Sequence, residues 1–200
     1  MSLELKYPEG ATPLDPNELA ELKHPHVKTQ RELNELEQAN LDQAQIWLKS
    51  KRRLVVFSDL FACELHRQMF GAVWGWAGQF RTTGKNVGDV KPIDVPVRLR
   101  ELTNDAEYWR TNKVYPPLEA AARLHHRLTF IHPFPNGNGR HARFMADAVL
   151  EKVYQQNPIN WSGGAELKNN GPRRRDYISA LKNADRGDYG PLFNFVGHQT

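Results

Sequence analysis

The stretch from His132 to Arg143 brings together, within a few residues, the groups that phosphate transfer needs. It separates two amphipathic, helix-like runs, 118–131 and 142–153, and is therefore predicted to be a loop between helices. His132 supplies a titratable imidazole, and the small residues 137–139 stand where the second helix would begin. Because backbone N–H groups at a helix start are unpaired and point at anions, this loop predicts a base beside an anion-binding turn.

Two arginines extend the anion-binding turn into the second helix-like run. Arg140 lies on its first turn and Arg143 follows three residues later, so both belong to one helix face. Guanidinium groups bind phosphate through paired N–H donors. An imidazole, an amide-lined turn and two guanidiniums together favour binding and transfer of a phosphate group.

The same stretch resembles the core motif of Fic-domain proteins, H-x-F-x-(D/E)-G-N-G-R-x-x-R. The matching residues are His132, Phe134, Gly137, Asn138, Gly139, Arg140 and Arg143. The likeness extends to the aromatic segment 70–81 and to a C-terminal signature at Tyr177, Leu181, Ala184 and 187–188. As a whole, the chain is most similar to the bacterial Fic subgroup known as mobile mystery protein B.

This resemblance implies an all-α fold, a Fic-type helical domain with a small β-hairpin flap near the active site. It implies transfer of AMP from ATP, with Mg²⁺ or Mn²⁺, to a Ser, Thr or Tyr hydroxyl of a target protein. His132 becomes the catalytic base and Phe134 the structural anchor of the loop. The nucleotide-binding residues that it implies are Gly137, Asn138, Gly139, Arg140, Arg143, Tyr177 and Asp185.

The residue types support this interpretation independently of the family. A neutral imidazole, with a reference pKa of about 6.5, can accept a hydroxyl proton at neutral pH. Backbone amides of 137–139 can neutralise charge that grows on the phosphate oxygens, while Arg140 and Arg143 grip the departing diphosphate.

Asn136 departs from the family pattern, because relatives carry Asp or Glu there to help hold a magnesium ion on the nucleotide phosphates. Asn offers a carbonyl oxygen without charge, whereas Mg²⁺ prefers carboxylates. The sequence therefore predicts a weak metal ligand. It leaves open, as the alternative function, a weakly active or inactive nucleotide-binding protein that is regulatory or toxin–antitoxin-like. Kinase-like relatives replace the second motif glycine with lysine, so Gly139 favours nucleotide over phosphate transfer.

Glu37 is the candidate inhibitory residue. Many family members are held inactive by a helix whose glutamate pairs with the second motif arginine, in the pattern (S/T)-x-x-x-E-(G/N). Glu37 occupies the glutamate position of the nearest candidate, although Leu33 and Gln38 depart from the pattern. The alternative is that Glu37 is an ordinary solvent-facing helix residue.

Histidines near the motif raise a second alternative, a metal site. His125 and His126 are adjacent, so on a helix they point about 100° apart. No HExxH or cysteine-rich spacing accompanies them, which argues against a histidine-based site. We expect one of the pair to pack in the core and the other to be exposed, and His141 to lie on the helix surface.

Composition is typical of a one-domain globular protein, with 200 residues and a formal net charge of +4. No run of about 20 apolar residues predicts a membrane span, and no secretory signal opens the chain. The single cysteine, Cys63, agrees with a reducing cytoplasm. The modest charge does not predict nucleic acid as a partner. A target protein is expected, and a regulatory partner and an oligomer are left open.

Helical patterns set the expected domain division. Residues 1–28 are predicted to form an N-terminal arm, with a short helix starting at Asp15. Residues 29–200 are the predicted Fic domain, with the candidate inhibitory helix near 29–50. Its first helix opens with a capping box at Thr29. Glycine-rich residues 78–92 interrupt the helices and predict the β-hairpin or an extended flap.

Overall fold

The computed structural model describes residue 5 and residues 10–85, 88–161, 167 and 171–197. Its helices are α1 (Pro16–Ala20), α2 (Gln30–Ser50), α3 (Asp59–Phe70), α4 (Val95–Thr111), α5 (Pro117–Ile131), α6 (Asn138–Lys152), α7 (Pro172–Ala184) and α8 (Gly190–Gly197), with a 3₁₀ turn, Pro92–Asp94, before α4. The predicted all-α class is confirmed. Within the described ranges, no helix combines the length and apolar composition that crossing a bilayer requires.

Side-chain caps start the helices that frame the site, as the sequence predicted. At α2, the Thr29 hydroxyl accepts the Glu32 N–H at 3.2 Å, and the Glu32 carboxylate accepts the Thr29 N–H at 3.0 Å. At α3, Ser58 accepts the N–H of Phe61 at 3.0 Å. Each cap satisfies a backbone donor that the helix itself leaves unpaired.

Helices α5 and α6 form the centre of the fold and carry the motif loop between them. Leu124 and Leu128 from α5 and Met145 and Val149 from α6 are at most 1% exposed. Helices α2, α3 and α4 pack around this pair in the larger core, while α7 and α8 form a second apolar cluster against its other side. Because α5 and α6 are buried along their length, the loop joining them is held at both ends.

The β-hairpin predicted in residues 78–92 is not seen, since the described part of this segment contains no strand. Its carbonyl groups bond instead to one buried side chain. The Arg81 guanidinium donates to the carbonyl of Thr83 at 2.9 Å and to that of Val90 at 2.5 Å. The Arg81 side chain therefore connects the beginning of this segment to Val90 near its end.

The described part of the predicted N-terminal arm packs onto the domain. The indole of Trp76 donates to the carbonyl of Glu18 at 3.0 Å. Leu22 forms an isolated antiparallel bridge with Trp74, and Val27 is 3% exposed within the larger core. Residues 10–28 thus lie against the elements that surround the motif loop.

Candidate active site

His132 ends α5 in a left-handed backbone conformation, with φ 53° and ψ 60°. Few non-glycine residues adopt this conformation, and the surrounding contacts hold it here. The N–H of His132 donates to the carbonyl of Leu128 at 3.0 Å, and Nδ1 lies 3.4 Å from the carbonyl of Thr129. With Nδ1–H directed to that carbonyl, Nε2 carries the lone pair of the neutral ring.

The imidazole of His132 is buried, and its Nε2 has no hydrogen-bond partner among the described residues. Burial lowers the pKa of His132 to about 4, and the charges of Arg81 and Lys85 act in the same direction. The ring is therefore neutral near pH 7 and has one nitrogen available to accept a proton.

Arg81 fixes the end of α5 from the flap side, and it was not singled out by the sequence. Its Nε donates to the carbonyl of His132 at 2.7 Å, and its N–H donates to the carbonyl of Pro133 at 2.9 Å. Burial lowers the pKa of Arg81 from its ordinary value. These bonds satisfy carbonyl groups that the helix end leaves free, so Arg81 fixes the position of His132.

Asn138 closes the motif loop on itself. Its Oδ1 accepts the N–H of Phe134 at 2.9 Å, and its Nδ2 donates to the carbonyl of Phe134 at 2.7 Å. The Phe134 ring is fully buried, in the anchoring place that the resemblance implied. Since the Asn138 side chain is occupied within the loop, only its backbone N–H is available for a ligand.

His66 supports the loop from α3 and was also missed by the sequence analysis. Its Nδ1 accepts the N–H of Gly78 at 3.0 Å, so its Nε2 donates to the carbonyl of Asn136, also at 3.0 Å. Its ring stacks on Phe134 with centroids 3.8 Å apart. Burial holds the pKa of His66 well below its ordinary value.

Gly137 places the start of α6 close to Phe70. Its φ is 77°, and a Cβ added there would lie 2.6 Å from the Phe70 ring. Its N–H already donates to Oδ1 of Asn136 at 2.7 Å. The first-turn amides of α6, including that of Gly139, have no partner within the helix, an arrangement that suits an anion.

Both ends of the Asn136 side chain are engaged. Besides the bond from Gly137, Nδ2 of Asn136 donates to the carbonyl of Thr12 at 3.0 Å. The N-terminal segment therefore reaches the predicted metal position. Within the described ranges no cluster of three or more His, Cys, Asp or Glu residues is arranged to hold a metal ion.

Arg140 contacts Glu37 of α2. Its Nη1 lies 2.6 Å from Oε2 of Glu37, while Oε1 of Glu37 accepts the indole N–H of Trp74 at 2.8 Å. Glu37 is 8% exposed, so the alternative that it faces solvent is wrong. Its partner is the first motif arginine rather than Arg143, the second.

Arg143 and the predicted nucleobase residues lie toward α7. The Arg143 guanidinium carbon is 6.0 Å from the Tyr177 ring centre, and the Tyr177 hydroxyl bonds Nε2 of His125 at 2.9 Å. Asp185 lies at the end of α7, where its Oδ1 is 2.8 Å from Nε2 of His126. Tyr177 is thus next to a motif arginine, whereas Asp185 contacts α5.

Two expectations for the histidines are wrong: that one of the pair His125 and His126 is exposed, and that His141 lies on the helix surface. His125 and His126 are both buried, at 0% and 3% exposure, because each bonds a residue of the C-terminal segment. His141 is fully buried as well, since its Nε2 bonds the carbonyl of Ala62 at 2.9 Å. One ring of the adjacent pair was expected to face solvent, but the C-terminal segment covers both of these faces of α5.

This geometry defines a helical domain built around a histidine at one helix end and a turn with free backbone amides at the next helix start. Residues 57–150 match the model of the Fic/DOC family. The chain therefore contains a Fic/DOC family domain.

Similar proteins include two curated adenylyltransferases. The "Protein adenylyltransferase Fic" of Nematostella vectensis is 31% identical over 168 residues, covering 80% of this chain and 36% of that protein. The fic-1 adenylyltransferase of Caenorhabditis elegans is 31% identical over 141 residues, covering 68% and 26%. The chain thus spans about a third, or less, of the length of these relatives.

Solved structures share the fold. Fic-1 from Caenorhabditis elegans superposes with a TM-score of 0.62 at 26% identity, covering 78% of this chain and 46% of that chain. BepC from Bartonella tribocorum, solved with AMPPNP bound, gives a TM-score of 0.68 at 16% identity, covering 95% and 93%.

Proposed function

We propose that this domain transfers AMP from ATP to a hydroxyl side chain of a target protein. The observation that carries the proposal is the neutral, buried imidazole of His132, whose Nε2 has no partner within the described chain. His132 ends α5, and the loop that follows it leads to the first turn of α6, where we propose that an anion binds. The similarity to named protein adenylyltransferases supports the same chemistry.

In the proposed reaction, the target hydroxyl oxygen attacks the α-phosphorus of ATP. A new oxygen–phosphorus bond forms, the bond from that phosphorus to the β-phosphate bridging oxygen breaks, and diphosphate leaves with the bonding electrons. Nε2 of His132 accepts the hydroxyl proton. Backbone amides of Asn138 and Gly139 balance charge on the phosphate oxygens, and Arg140 and Arg143 bind the diphosphate.

A divalent cation, Mg²⁺ or Mn²⁺, would find one neutral oxygen in the loop. Oδ1 of Asn136 already accepts the Gly137 N–H, and it brings no charge. The side chain therefore fits a weak ligand, with nucleotide phosphates and water completing the shell. When bound, such a cation supplies charge neutralisation on the diphosphate.

Glu37 is proposed to hold the site in a restrained state. Phosphate binding to Arg140 requires the carboxylate of Glu37 to give up its 2.6 Å contact. The bond from Trp74 fixes that carboxylate, so release involves movement of α2 or rotation of the Glu37 side chain. The inhibitory role implied by the family resemblance is retained here, with Arg140 in place of the second arginine.

The remaining predictions concern the ligand and its setting. Tyr177, next to Arg143, is proposed to border the nucleobase. Asp185 is retained as a nucleobase residue only if its bond to His126 opens. The mobile mystery protein B subgroup, a cytoplasmic location and a regulatory partner stay predictions.

Mass spectrometry after incubation with ATP and either Mg²⁺ or Mn²⁺ tests the proposed function. We expect the chain, or an added protein, to gain adenylyl groups, and His132→Ala to abolish the gain. His26→Ala is the matched control, because His26 is an exposed histidine outside the motif loop. If ATP protects the protein from thermal unfolding but no label moves with either metal, the nucleotide-binding alternative replaces the proposal.

A further inference from the structure

Among the buried polar atoms that lack a hydrogen-bond partner within the part of the chain described here, two belong to the motif loop and to the N-terminal segment bonded to it. One is Nε2 of His132, and the other is the hydroxyl oxygen of Thr12, a residue that is 6% exposed. Buried hydroxyl groups are nearly always bonded, so an exception calls for an explanation. The backbone of Thr12 lies against the loop, since its carbonyl accepts the Asn136 side-chain N–H at 3.0 Å.

An ion cluster fixes the N-terminal segment in this place. Nζ of Lys85 donates to Oε2 of Glu18 at 2.6 Å, to Oδ2 of Asp15 at 3.3 Å and to the carbonyl of Pro13 at 3.4 Å. The Lys85 side chain is only 3% exposed. The charge of Lys85 also helps to lower the pKa of His132.

We propose that Thr12 is an acceptor site for this domain's own nucleotidyl transfer, modified within the same molecule. The inference rests on the proposed function. Oγ1 of Thr12 attacks the α-phosphorus of ATP, the bond to the bridging oxygen of the β-phosphate breaks, and diphosphate leaves with its electrons. The hydroxyl proton passes to Nε2 of His132. An acceptor held against the loop by its own chain reacts at a high effective concentration, without a binding step.

The sequence makes the site easy to locate. Trypsin releases residues 7–23 as one peptide, in which Tyr7 and Thr12 carry the only side-chain hydroxyls. We would incubate the full chain and its Glu37→Gly variant with ATP and Mg²⁺ or Mn²⁺, and fragment this peptide. The expected result is one adenylyl group on Thr12, formed at a rate that does not depend on protein concentration.

Variants at the acceptor separate chemistry from folding. Thr12→Val keeps the shape of the buried side chain and removes the nucleophile, so the peptide should lose its label while the thermal unfolding midpoint stays the same or rises. Thr12→Ser keeps a hydroxyl and should retain the label. His132→Ala should remove it.

Other outcomes would overturn the inference in distinguishable ways. Label on other residues or on an added protein, with none on Thr12, rejects Thr12 as the acceptor and leaves the proposed function standing. Label on Thr12 that accelerates with protein concentration rejects transfer within one molecule. Absence of label from every residue of the chain and from an added protein, in the wild type and in Glu37→Gly, rejects both this site and the proposed function.

Discussion

Glu37 and Arg140 are 103 residues apart in the chain, and their side chains meet at 2.6 Å. The two side chains are 11% and 22% exposed, and the second oxygen of Glu37 is held by Trp74 at 2.8 Å. The Arg140 guanidinium also lies over the Phe70 ring, 4.6 Å from its centre. A nucleotide phosphate that binds Arg140 therefore competes with a carboxylate already fixed in place.

Replacing the inhibitory candidate should release this arginine. We expect Glu37→Gly to raise incorporation of labelled AMP by about tenfold or more. A hydrogen bond to a charged group contributes about 1.5–3 kcal/mol, and about 1.4 kcal/mol corresponds to a factor of ten. Incorporation is measured by autoradiography or mass spectrometry at fixed ATP and metal concentrations.

Glu35→Gly is the matched control for that variant. Glu35 lies on the same helix, where it is exposed and pairs with Arg31. Glycine destabilises the helix at either position, but Glu35→Gly does not free Arg140. Equal incorporation by Glu35→Gly and Glu37→Gly, with both proteins folded, would contradict an inhibitory role.

Local sequence signals predicted the fold well because their causes are local. Thr29 and Ser58 cap helices within three residues of themselves, and the motif order fixed His132 and Arg140 on either side of one loop. The apolar spacing of α5 and α6 likewise follows from which face each helix buries. These features depend on residues that are close together in the sequence, so one amino-acid sequence is enough to predict them.

Features set by distant contacts were missed or misplaced. His66 touches Asn136 across 70 residues and Arg81 touches His132 across 51, and neither side chain belongs to a local pattern. His141 was expected on the surface but is covered by the Ala62 region of α3. Periodicity shows that a helix has an apolar face, but it does not show how many faces other elements cover.

Arg81 should be important for stability as well as for placing the base. We expect Arg81→Gln to reduce the free energy of unfolding by about 3 kcal/mol, because it leaves buried carbonyl groups unpaired. Those buried carbonyls belong to His132 and Ile131. Urea unfolding followed by circular dichroism gives the value.

Arg98→Gln provides the comparison for Arg81. Arg98 is an exposed arginine whose side chain pairs with Glu101, so its loss should change stability by about 0.5 kcal/mol or less. If the two variants lose the same stability, the bonds from Arg81 to the buried carbonyl groups do not stabilise the fold as described.

Asn136→Asp tests the departure from the family pattern. A carboxylate at this position should lower the Mg²⁺ concentration needed for half-maximal ATP binding, because Mg²⁺ prefers a charged oxygen ligand. Asp can still accept the Gly137 N–H, but it loses the bond to the Thr12 carbonyl, so stability should fall by about 1 kcal/mol. Calorimetric ATP titrations at several Mg²⁺ concentrations measure the first effect. Identical metal dependence in Asn136→Asp and the wild type would contradict metal contact at this residue.

Buried histidines predict that acid destabilises the domain. Burial lowers the pKa of His125 to about 3 and those of His132 and His141 to about 4, and holds that of His66 well below its ordinary value. In the unfolded chain these rings take up protons below about pH 6.5, so stability is full above that pH and falls as the pH drops toward 4. Each ring contributes up to about 1.4 kcal/mol per pH unit in this window. Unfolding midpoints in urea between pH 7.5 and 5 check the slope, and a flat profile would contradict neutral burial.

Asp147 should oppose this acid sensitivity. Burial raises the pKa of its carboxyl to about 7, even though the indole of Trp161 and the N–H of Ile159 donate to it. The folded state therefore retains a proton on Asp147 between about pH 4 and 7 that the unfolded state loses, so its contribution to stability grows as the pH falls. Asp147→Asn cannot titrate, and its free energy of unfolding should fall more steeply than that of the wild type between pH 7 and 5. Asp105→Asn, on the exposed face of α4, should leave the wild-type slope unchanged. Parallel slopes for Asp147→Asn and the wild type would show that Asp147 is already ionised in the folded protein.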